Sequence, residues 1–377
     1  MKKIAFLALH LGFGGAERAV ISEANLLCKF YDVEIISFYK LYDKPAFDVN
    51  PKIKITYLTE NIVPNKDELK SAIKNKRIFS VLREGFKSIK ILYLRHALMK
   101  KAIKNLDADI AVSTRYLYHK MLTKNIKKGT VCIAQEHNHH NGDQKYIKKQ
   151  IHAIFNMDYF MPVSKELCDF YSAKVTGKVQ CRYIPHHLEY MPDTPSSLKS
   201  KNIVSIGRLS KEKGMDDLVN VFSLISQNHP DWLLHIVGDG DCRSQIEELI
   251  KQKDLENNVI LHGFKNSEEI STILKDSSIY VMTSHTESFG LVIIEAQSFG
   301  LPCVVFDSAH GALENIADGK NGIIIKNRSA SQMADAIESL INDYDYRLSL
   351  GKSATENSKK YSLEAIEILW KDFIDSI

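Results

Sequence analysis

Two glutamates, Glu287 and Glu295, stand with seven residues between them in the segment Ser284-His285-Thr286-Glu287-Ser288-Phe289-Gly290-Leu291-Val292-Ile293-Ile294-Glu295-Ala296. The apolar run Ile279-Tyr280-Val281-Met282 before them reads as a strand, and residues 291–299 read as a helix. A strand that enters a helix through a short loop brings a carboxylate, a glycine and a helix N-terminus to one point. Unpaired N–H groups and the positive end of the helix dipole meet there, which is how open α/β sheets bind nucleotides and phosphorylated ligands. Eight residues of helix rise about 12 Å, a scale on which both carboxylates can reach different parts of one folded ligand. Inside so apolar a helix, an unpaired Glu295 carboxylate would be costly.

Other segments have the same character. Ser205-Ile206-Gly207-Arg208-Leu209-Ser210-Lys211-Glu212-Lys213-Gly214 follows one apparent strand and opens a helix. Gly207 permits close backbone approach, and Arg208 and Lys213 can supply positive charge to a diphosphate. A solvated basic turn is the alternative. Val237-Gly238-Asp239-Gly240-Asp241 reads as a turn whose glycines would admit a flat base. Ser308-Ala309-His310-Gly311-Ala312-Leu313-Glu314 is a third such loop. Near the start, Gly14-Gly15-Ala16-Glu17-Arg18 follows the first strand. Gln135-Glu136-His137-Asn138-His139-His140 follows a later one. The histidine spacing at 137, 139 and 140 fits no standard zinc pattern. Asp107-Ala108-Asp109 and Asp239-Gly240-Asp241 spell Asp-x-Asp, but the first precedes a strand and the second lies in the glycine turn. No required metal and no cofactor are expected. His186-His187 lies near the junction of the two halves, as linker surface or as part of a cleft.

The elements that must position these residues alternate. Strands are expected at 4–9, 33–38, 53–58, 110–113, 130–134 and 159–163, with helices at 16–30, within 65–105 and from 164. Pro192-Asp193-Thr194-Pro195 and the polar residues after it mark a linker. A second series follows, with strands at 202–206, 233–237, 259–261, 279–282, 302–306 and 322–325. Helices are expected there at 215–227, 242–253, 267–275 and 291–299. This is the rhythm of two doubly wound parallel sheets, and 377 residues suit about two cores. The net charge of +4 is too small to suggest a nucleic-acid binder, and the six cysteines form no Cys-x-x-Cys pair, so reduced buried thiols are expected. Residues 1–9 read as a buried strand rather than a signal peptide, because His10 and Gly14-Gly15 interrupt the run. No apolar run reaches the ~20 residues of a membrane span.

The order of these motifs resembles the retaining glycosyltransferases of family 4, glycosyl transferases group 1. The resemblance rests on Gly14-Gly15-Ala16-Glu17-Arg18, Gly207-Arg208-Leu209 with Lys213-Gly214, and Val237-Gly238-Asp239-Gly240. It rests further on His262-Gly263-Phe264, the Glu287…Glu295 pair and Gly300-Leu301-Pro302. It implies an α/β GT-B fold, two Rossmann-like doubly wound domains facing a central cleft. Residues 1–190 would form the acceptor domain and 200–360 the nucleotide-sugar domain, with helix 361–377 crossing back to the first. By the same resemblance, Arg208 and Lys213 would neutralise the donor diphosphate, Glu295 would hold the ribose and Glu287 the donor sugar. Gly15, Gly207 and Gly238 would approach the donor, with N–H groups of Phe289, Gly290 and Leu291 facing it from the helix start. Gly14, Gly15, Arg18 and His137 would lie on the acceptor side, His137 at the sugar. Glu287, Arg208, Lys213 and His137 would carry the catalysis.

The expected partners are a nucleotide-sugar donor, with UDP the base expected from the family, and a glycan or lipid-linked sugar acceptor. Nucleic acid is not among them. Residues 66–104 hold twelve Lys or Arg against Asp67, Glu68 and Glu84, interleaved with apolar residues. They read as a basic amphipathic helix pair lying on an anionic membrane, or as a solvated face over a packed core. A cytoplasmic protein, peripheral at the inner face of the cell membrane, is the corresponding expectation. A nucleotide-sugar epimerase or hydrolase of similar fold, and a non-catalytic nucleotide-sugar-binding scaffold, are the competing readings.

Overall fold

The computed structural model describes residues 1–175 and 178–377. The chain divides into two units. Unit 1 holds Met1–Val163, Leu167–Ile184 and Leu369–Ile377, and unit 2 holds Ser164–Glu166 and Pro185–Ile368.

Unit 1 is built on a seven-stranded sheet of β1 (Lys3–Ala8), β2 (Asp32–Tyr39), β3 (Lys54–Thr59), β4 (Ile110–Ser113), β5 (Val131–Glu136), β6 (Tyr159–Pro162) and β7 (Gln180–Cys181). All neighbours are parallel, in the order β3-β2-β1-β4-β5-β6-β7. Ile4 stands between Val33 on one side and Ile110 on the other. Helices cover both faces, so β1 and β4 are apolar runs rather than alternating ones, and their residues from Ile4 and Ile110 onward are buried.

The basic stretch forms two helices, Lys66–Lys74 and Ile78–Asn105, broken around Lys76, whose φ of +51° cannot continue a right-handed helix. Helices Tyr116–Asn125 and Gln144–Ile154 were not legible in the sequence. The first includes Tyr116, Tyr118, His119 and Thr123, of modest helix propensity, and gains its helix from packing Tyr118 and Leu122.

The last nine residues also pack in unit 1. Trp370 and Ile374 are buried there, the Tyr31 hydroxyl donates to Asp375 at 2.9 Å, and Phe373 meets Tyr159 edge-on at 5.0 Å.

Unit 2 repeats the architecture with β8 (Asn202–Ile206), β9 (Leu233–Val237), β10 (Val259–Gly263), β11 (Ile279–Met282), β12 (Cys303–Phe306) and β13 (Gly322–Ile325). The order is β10-β9-β8-β11-β12-β13, again all parallel. Period-two alternation splits each strand between two cores. Ile279, Val281, Val304 and Phe306 join Phe222, Ile225, Met333 and Ile337 on one face. Tyr280, Met282, Cys303 and Val305 join Ile293, Ala296 and Leu301 on the other.

The polar segment read as a linker is fastened to this unit. Ser196 donates to the Ser277 carbonyl at 2.7 Å, and buried Arg347 donates through Nε and Nη2 to the Leu198 carbonyl at 3.1 and 2.9 Å.

In both sheets the strand order reverses once, between β1 and β4 and between β8 and β11. Loops leaving the carboxyl ends of such neighbours depart in opposite directions and leave a crevice, where ligands of doubly wound folds bind. Truncating Trp370 to alanine is expected to cost about 3–5 kcal/mol. Denaturant titration of the full chain measures it, and an unchanged midpoint would show that the C-terminal residues add no stability.

Candidate functional site

The loops after β8 and β11 meet at the crevice of unit 2. After β8 the chain passes Gly207, exposed Arg208 and buried Leu209 into a short 3₁₀ turn, Lys211–Lys213. Gly214, at φ +59°, then caps the helix Met215–Asn228. After β11 the chain passes Thr283 and Ser284 to Glu287, then Gly290, at φ +78°, caps the helix Leu291–Ser298. Lys213 Nζ lies 2.5 Å from Glu287 Oε1, and the Ser284 hydroxyl donates to the same oxygen at 3.0 Å. The pair is largely shielded, with the lysine side chain 24% and the glutamate 13% exposed. Residues 74 apart in sequence are thus joined by an ion pair at the strand-order reversal.

Glu295 sits half-buried in the second turn of the helix Leu291–Ser298. Both glutamates act on one buried group, the Tyr280 phenol. Burial pushes it well above its ordinary range, followed by Cys303 and by the charges of Glu287 and Glu295. The helix Leu291–Ser298 begins at Gly290, which has no side chain to cap its leading N–H groups.

Glycines set how closely the loops stack. A Cβ on Gly238, whose φ is +134°, would stand 2.0 Å from the Gly207 carbonyl oxygen. Gly207 N–H donates to the Val237 carbonyl at 2.9 Å, so these two loops lie directly on one another. A Cβ on Gly311 would stand 2.1 Å from the Ser288 carbonyl oxygen and 2.7 Å from that of Glu287. The loop at 308–314 is thereby placed under the Glu287 segment, and its Gly311 N–H donates to the Glu287 carbonyl at 3.2 Å.

Arg328, for which the sequence carried no signal, ties the site from outside it. Its guanidinium donates to the Thr283 carbonyl at 2.9 Å, the Ser284 carbonyl at 3.1 Å and the Ser308 hydroxyl at 2.7 Å, and also pairs with Asp217. It lies 4.5 Å over the Phe306 ring. The Thr283 hydroxyl donates to the Gly214 carbonyl at 2.7 Å, locking the two loops together. Asn315 donates to the Phe289 carbonyl at 2.6 Å, and the His186 ring stands perpendicular to Phe289 at 5.2 Å. His186 therefore lies beside the glutamate loop, while His187 is buried.

The crevice of unit 1 holds a different set. Glu17 is buried. Arg115 Nη2, from the loop after β4, lies 2.7 Å from Glu17 Oε1, and His10 Nε2 lies 3.6 Å from it. Neither Arg115 nor His10 stood out in the sequence, because single residues in unrelated loops become neighbours only through strand order. Among the described residues nothing lies within 4 Å of a Cβ built on Gly15, so their packing does not demand glycine there. At Gly14 a Cβ would meet the Glu17 carboxylate. Arg18 is half-buried in the first turn of the same helix, Gly15–Leu27.

His137 follows β5 directly, since that strand runs two residues further than the sequence suggested. Burial, then the charge of Arg115, lowers its pKa to about 4, so the imidazole is neutral at physiological pH. Behind it, buried His119 is lowered to about 3 and its Nδ1 meets the Ser113 hydroxyl. His139 and His140 serve the loop, where their Nδ1 atoms accept N–H bonds from Asn141 and Gly142, each at 3.0 Å. Buried Glu23 accepts from Gln135 Nε2 through both oxygens at 2.8 Å, and burial raises its pKa to about 8.

Residues 188–357 match the family described as Glycosyl transferases group 1. An uncharacterized glycosyltransferase of Haemophilus influenzae is 28% identical over 381 residues, covering 99% of this chain and all of that one. A Campylobacter jejuni enzyme named GalNAc-alpha-(1->4)-GalNAc-alpha-(1->3)-diNAcBac-PP-undecaprenol alpha-1,4-N-acetyl-D-galactosaminyltransferase is 22% identical, covering 100% and 99%. Of three longer curated relatives the chain spans 41%, 34% and 37% of the length. Among solved structures, S. aureus TarM in complex with Fondaparinux, alpha-GlcNAc-glycerol and UDP superposes with a TM-score of 0.76 at 18% identity, covering 99% of each chain. The two parallel-sheet, Rossmann-like units are those of the GT-B fold.

Gly311→Ala is expected to destabilise unit 2 by about 1–3 kcal/mol through overpacking against backbone. Calorimetry would show it as a lower thermal midpoint, and an unshifted midpoint would mean the loops separate freely. Glu23 gives a pH-dependent expectation. Folded chains keep its proton between about 4.5 and about 8 while unfolded chains lose it. Its stabilisation is therefore full below the lower value and is lost as pH rises through the upper one, by at most about 1.4 kcal/mol per pH unit. Glu23→Gln should gain stability over the parent progressively from pH 4.5 to 8.5. An equal difference at both ends would contradict the protonated buried carboxyl.

Proposed function

We propose that the chain is a retaining, metal-independent hexosyltransferase. It moves a sugar from a nucleotide sugar, a UDP-sugar, to a glycan or lipid-linked sugar acceptor in surface polysaccharide or glycan biosynthesis. The observation that carries this reading is the Lys213–Glu287 pair at the unit 2 strand-order reversal, beside the uncapped start of the helix Leu291–Ser298. Its relatives with sugar-transferring names, the undecaprenol-linked acceptor named for one of them and the UDP of the structural neighbour support the same choice.

The chemistry follows from charge. Breaking the bond between the sugar's anomeric carbon and the diphosphate oxygen sends the electron pair to the diphosphate. Lys213 then exchanges its carboxylate partner for the growing phosphate charge, and exposed Arg208 adds a second cation. Groups that act where charge develops lower the barrier most, because their interaction strengthens on the way to the transition state. The N–H groups at Phe289, Gly290 and Leu291 serve the same charge from the helix dipole. Glu287, released by Lys213, turns to the donor-sugar hydroxyls, and Glu295 accepts from the ribose. The acceptor hydroxyl attacks from the face the diphosphate leaves, and its proton passes to the departing phosphate oxygen, so no dedicated base is needed. Gly207 and Gly238 let the donor approach backbone.

Unit 1 is the acceptor domain in this reading, with Gly14, Gly15 and Arg18 on the acceptor side. His137 is a neutral hydrogen-bonding group for the sugar. Gly15 suits that role, because the packing found around it leaves its side open. A lipid-linked acceptor would place the enzyme at the inner face of the cell membrane, in contact through residues 66–104.

Lys213→Ala should lower kcat on the order of 10²–10³-fold with a smaller change in donor KM. Glu295→Ala should weaken donor binding by about 10-fold or more, the loss of a charged hydrogen-bond acceptor. Both are measured by nucleotide release with and without an oligosaccharide acceptor. Release that needs no acceptor would turn the assignment to a hydrolase or epimerase. Binding of UDP without any turnover would turn it to a scaffold.

A further inference from the structure

The helix Ile78–Asn105 carries its most apolar stripe on the side turned away from its own unit. Buried Glu84 and Ile91 lie seven residues apart and mark the inward side. At about 100° per residue, Phe79, Leu82, Phe86, Ile89 and Tyr93 fall within about 50° of the opposite side. Their exposures are 89, 55, 72, 64 and 70%, so these large apolar residues stand in water. The stripe runs some 21 Å at 1.5 Å per residue. A run of this size on one line is a contact surface rather than scattered exposure.

Charge decides what the surface fits. Arg83, Lys87 and Lys90 are exposed along one margin of the stripe, and Lys100, Lys101 and Lys104 continue beyond its end. Glu84 is the helix's one acidic residue, and it is turned inward, held by Asn65 Nδ2 at 3.1 Å and by the neighbouring Arg83. The 3-4 spacing of the stripe could also seat a second copy of the helix. Such a seam relies on opposite charges along its margins, and this one would set cation against cation. An anionic lipid surface answers both features, taking the apolar side chains at the acyl boundary and the cations at the headgroups.

We propose that this helix is the membrane-docking element of the protein. It lies in the plane of an anionic leaflet with Phe79, Leu82, Phe86, Ile89 and Tyr93 inserted and Lys100, Lys101 and Lys104 at the headgroups. This deepens the lipid-linked acceptor reading and takes its biological sense from it, but its geometry stands on the helix alone. Among the described residues no helix is long and apolar enough to cross a membrane, so contact by this helix lies on the surface.

The test is co-sedimentation of the full chain with vesicles of phosphatidylglycerol or of phosphatidylcholine. Thermal midpoints with and without UDP are recorded for every protein. The parent is expected to bind the phosphatidylglycerol vesicles and to be released by salt, as screening requires. Phe79→Ser/Phe86→Ser/Tyr93→Ser should lose binding at least 10-fold with its thermal midpoint and UDP response unchanged. Lys100→Gln/Lys101→Gln/Lys104→Gln, which leaves the apolar stripe intact, should weaken binding about fivefold per charge removed. The proposal is overturned if the parent ignores phosphatidylglycerol, binds phosphatidylcholine equally, or keeps its binding in both variants. It is equally overturned if sedimentation equilibrium finds a dimer that the serine variant dissolves, since the stripe then belongs to a second copy. A parent that binds vesicles but shows no UDP response leaves docking standing and removes the donor reading instead.

Discussion

Everything at the candidate site depends on β8 and β11 being neighbours although 72 residues separate the end of one from the start of the other. Two parallel strands side by side send their following loops to opposite faces of the sheet. The crevice between those loops cannot be filled by either connection, so backbone amides and charged side chains remain free to face a ligand. Lys213 and Glu287 are brought to 2.5 Å by this constraint and by nothing local. Reversing the neighbour order would leave the same residues on separate edges.

Holding charged groups in place at such a crevice costs conformational freedom and desolvation, and the structure offsets both with a second layer. Arg328 binds carbonyls from the Glu287 loop and the Ser308 hydroxyl at once, while the Thr283 hydroxyl reaches across to the Gly214 carbonyl. Glycines at 238 and 311 let backbone approach backbone where a methyl group would collide. The loops that carry Lys213 and Glu287 are thus held against one another by side-chain to backbone bonds on their far side.

Unit 1 uses the same topology for different chemistry. Its crevice joins Glu17, Arg115 and His10, and its buried side chains are kept neutral by burial: His137 and His119 low, Glu23 high. Uncharged interior groups thus lie beneath a crevice whose charge is the Arg115–Glu17 pair. A strongly charged and apolar surface of this unit lies elsewhere, on the helix Ile78–Asn105, where Glu84 and Ile91 turn inward and Phe79 and Phe86 outward.

The sequence by itself determined the element rhythm, because apolar runs and helical periods are local properties. Strands at 110–113, 279–282 and 322–325 coincide with β4, β11 and β13, and the helix starts after Gly214 and Gly290 were legible from the residues that permit them. It also singled out the loops that carry Arg208, Lys213 and Glu287, since these residues and the glycines around them are short-range patterns. It could not supply Arg328, Arg115 or His10, nor fix which side of the basic helix faces out. Each is a lone residue, or a whole face, whose meaning comes from what lies across space from it. Strand order and burial, which only tertiary structure decides, turned those residues into neighbours.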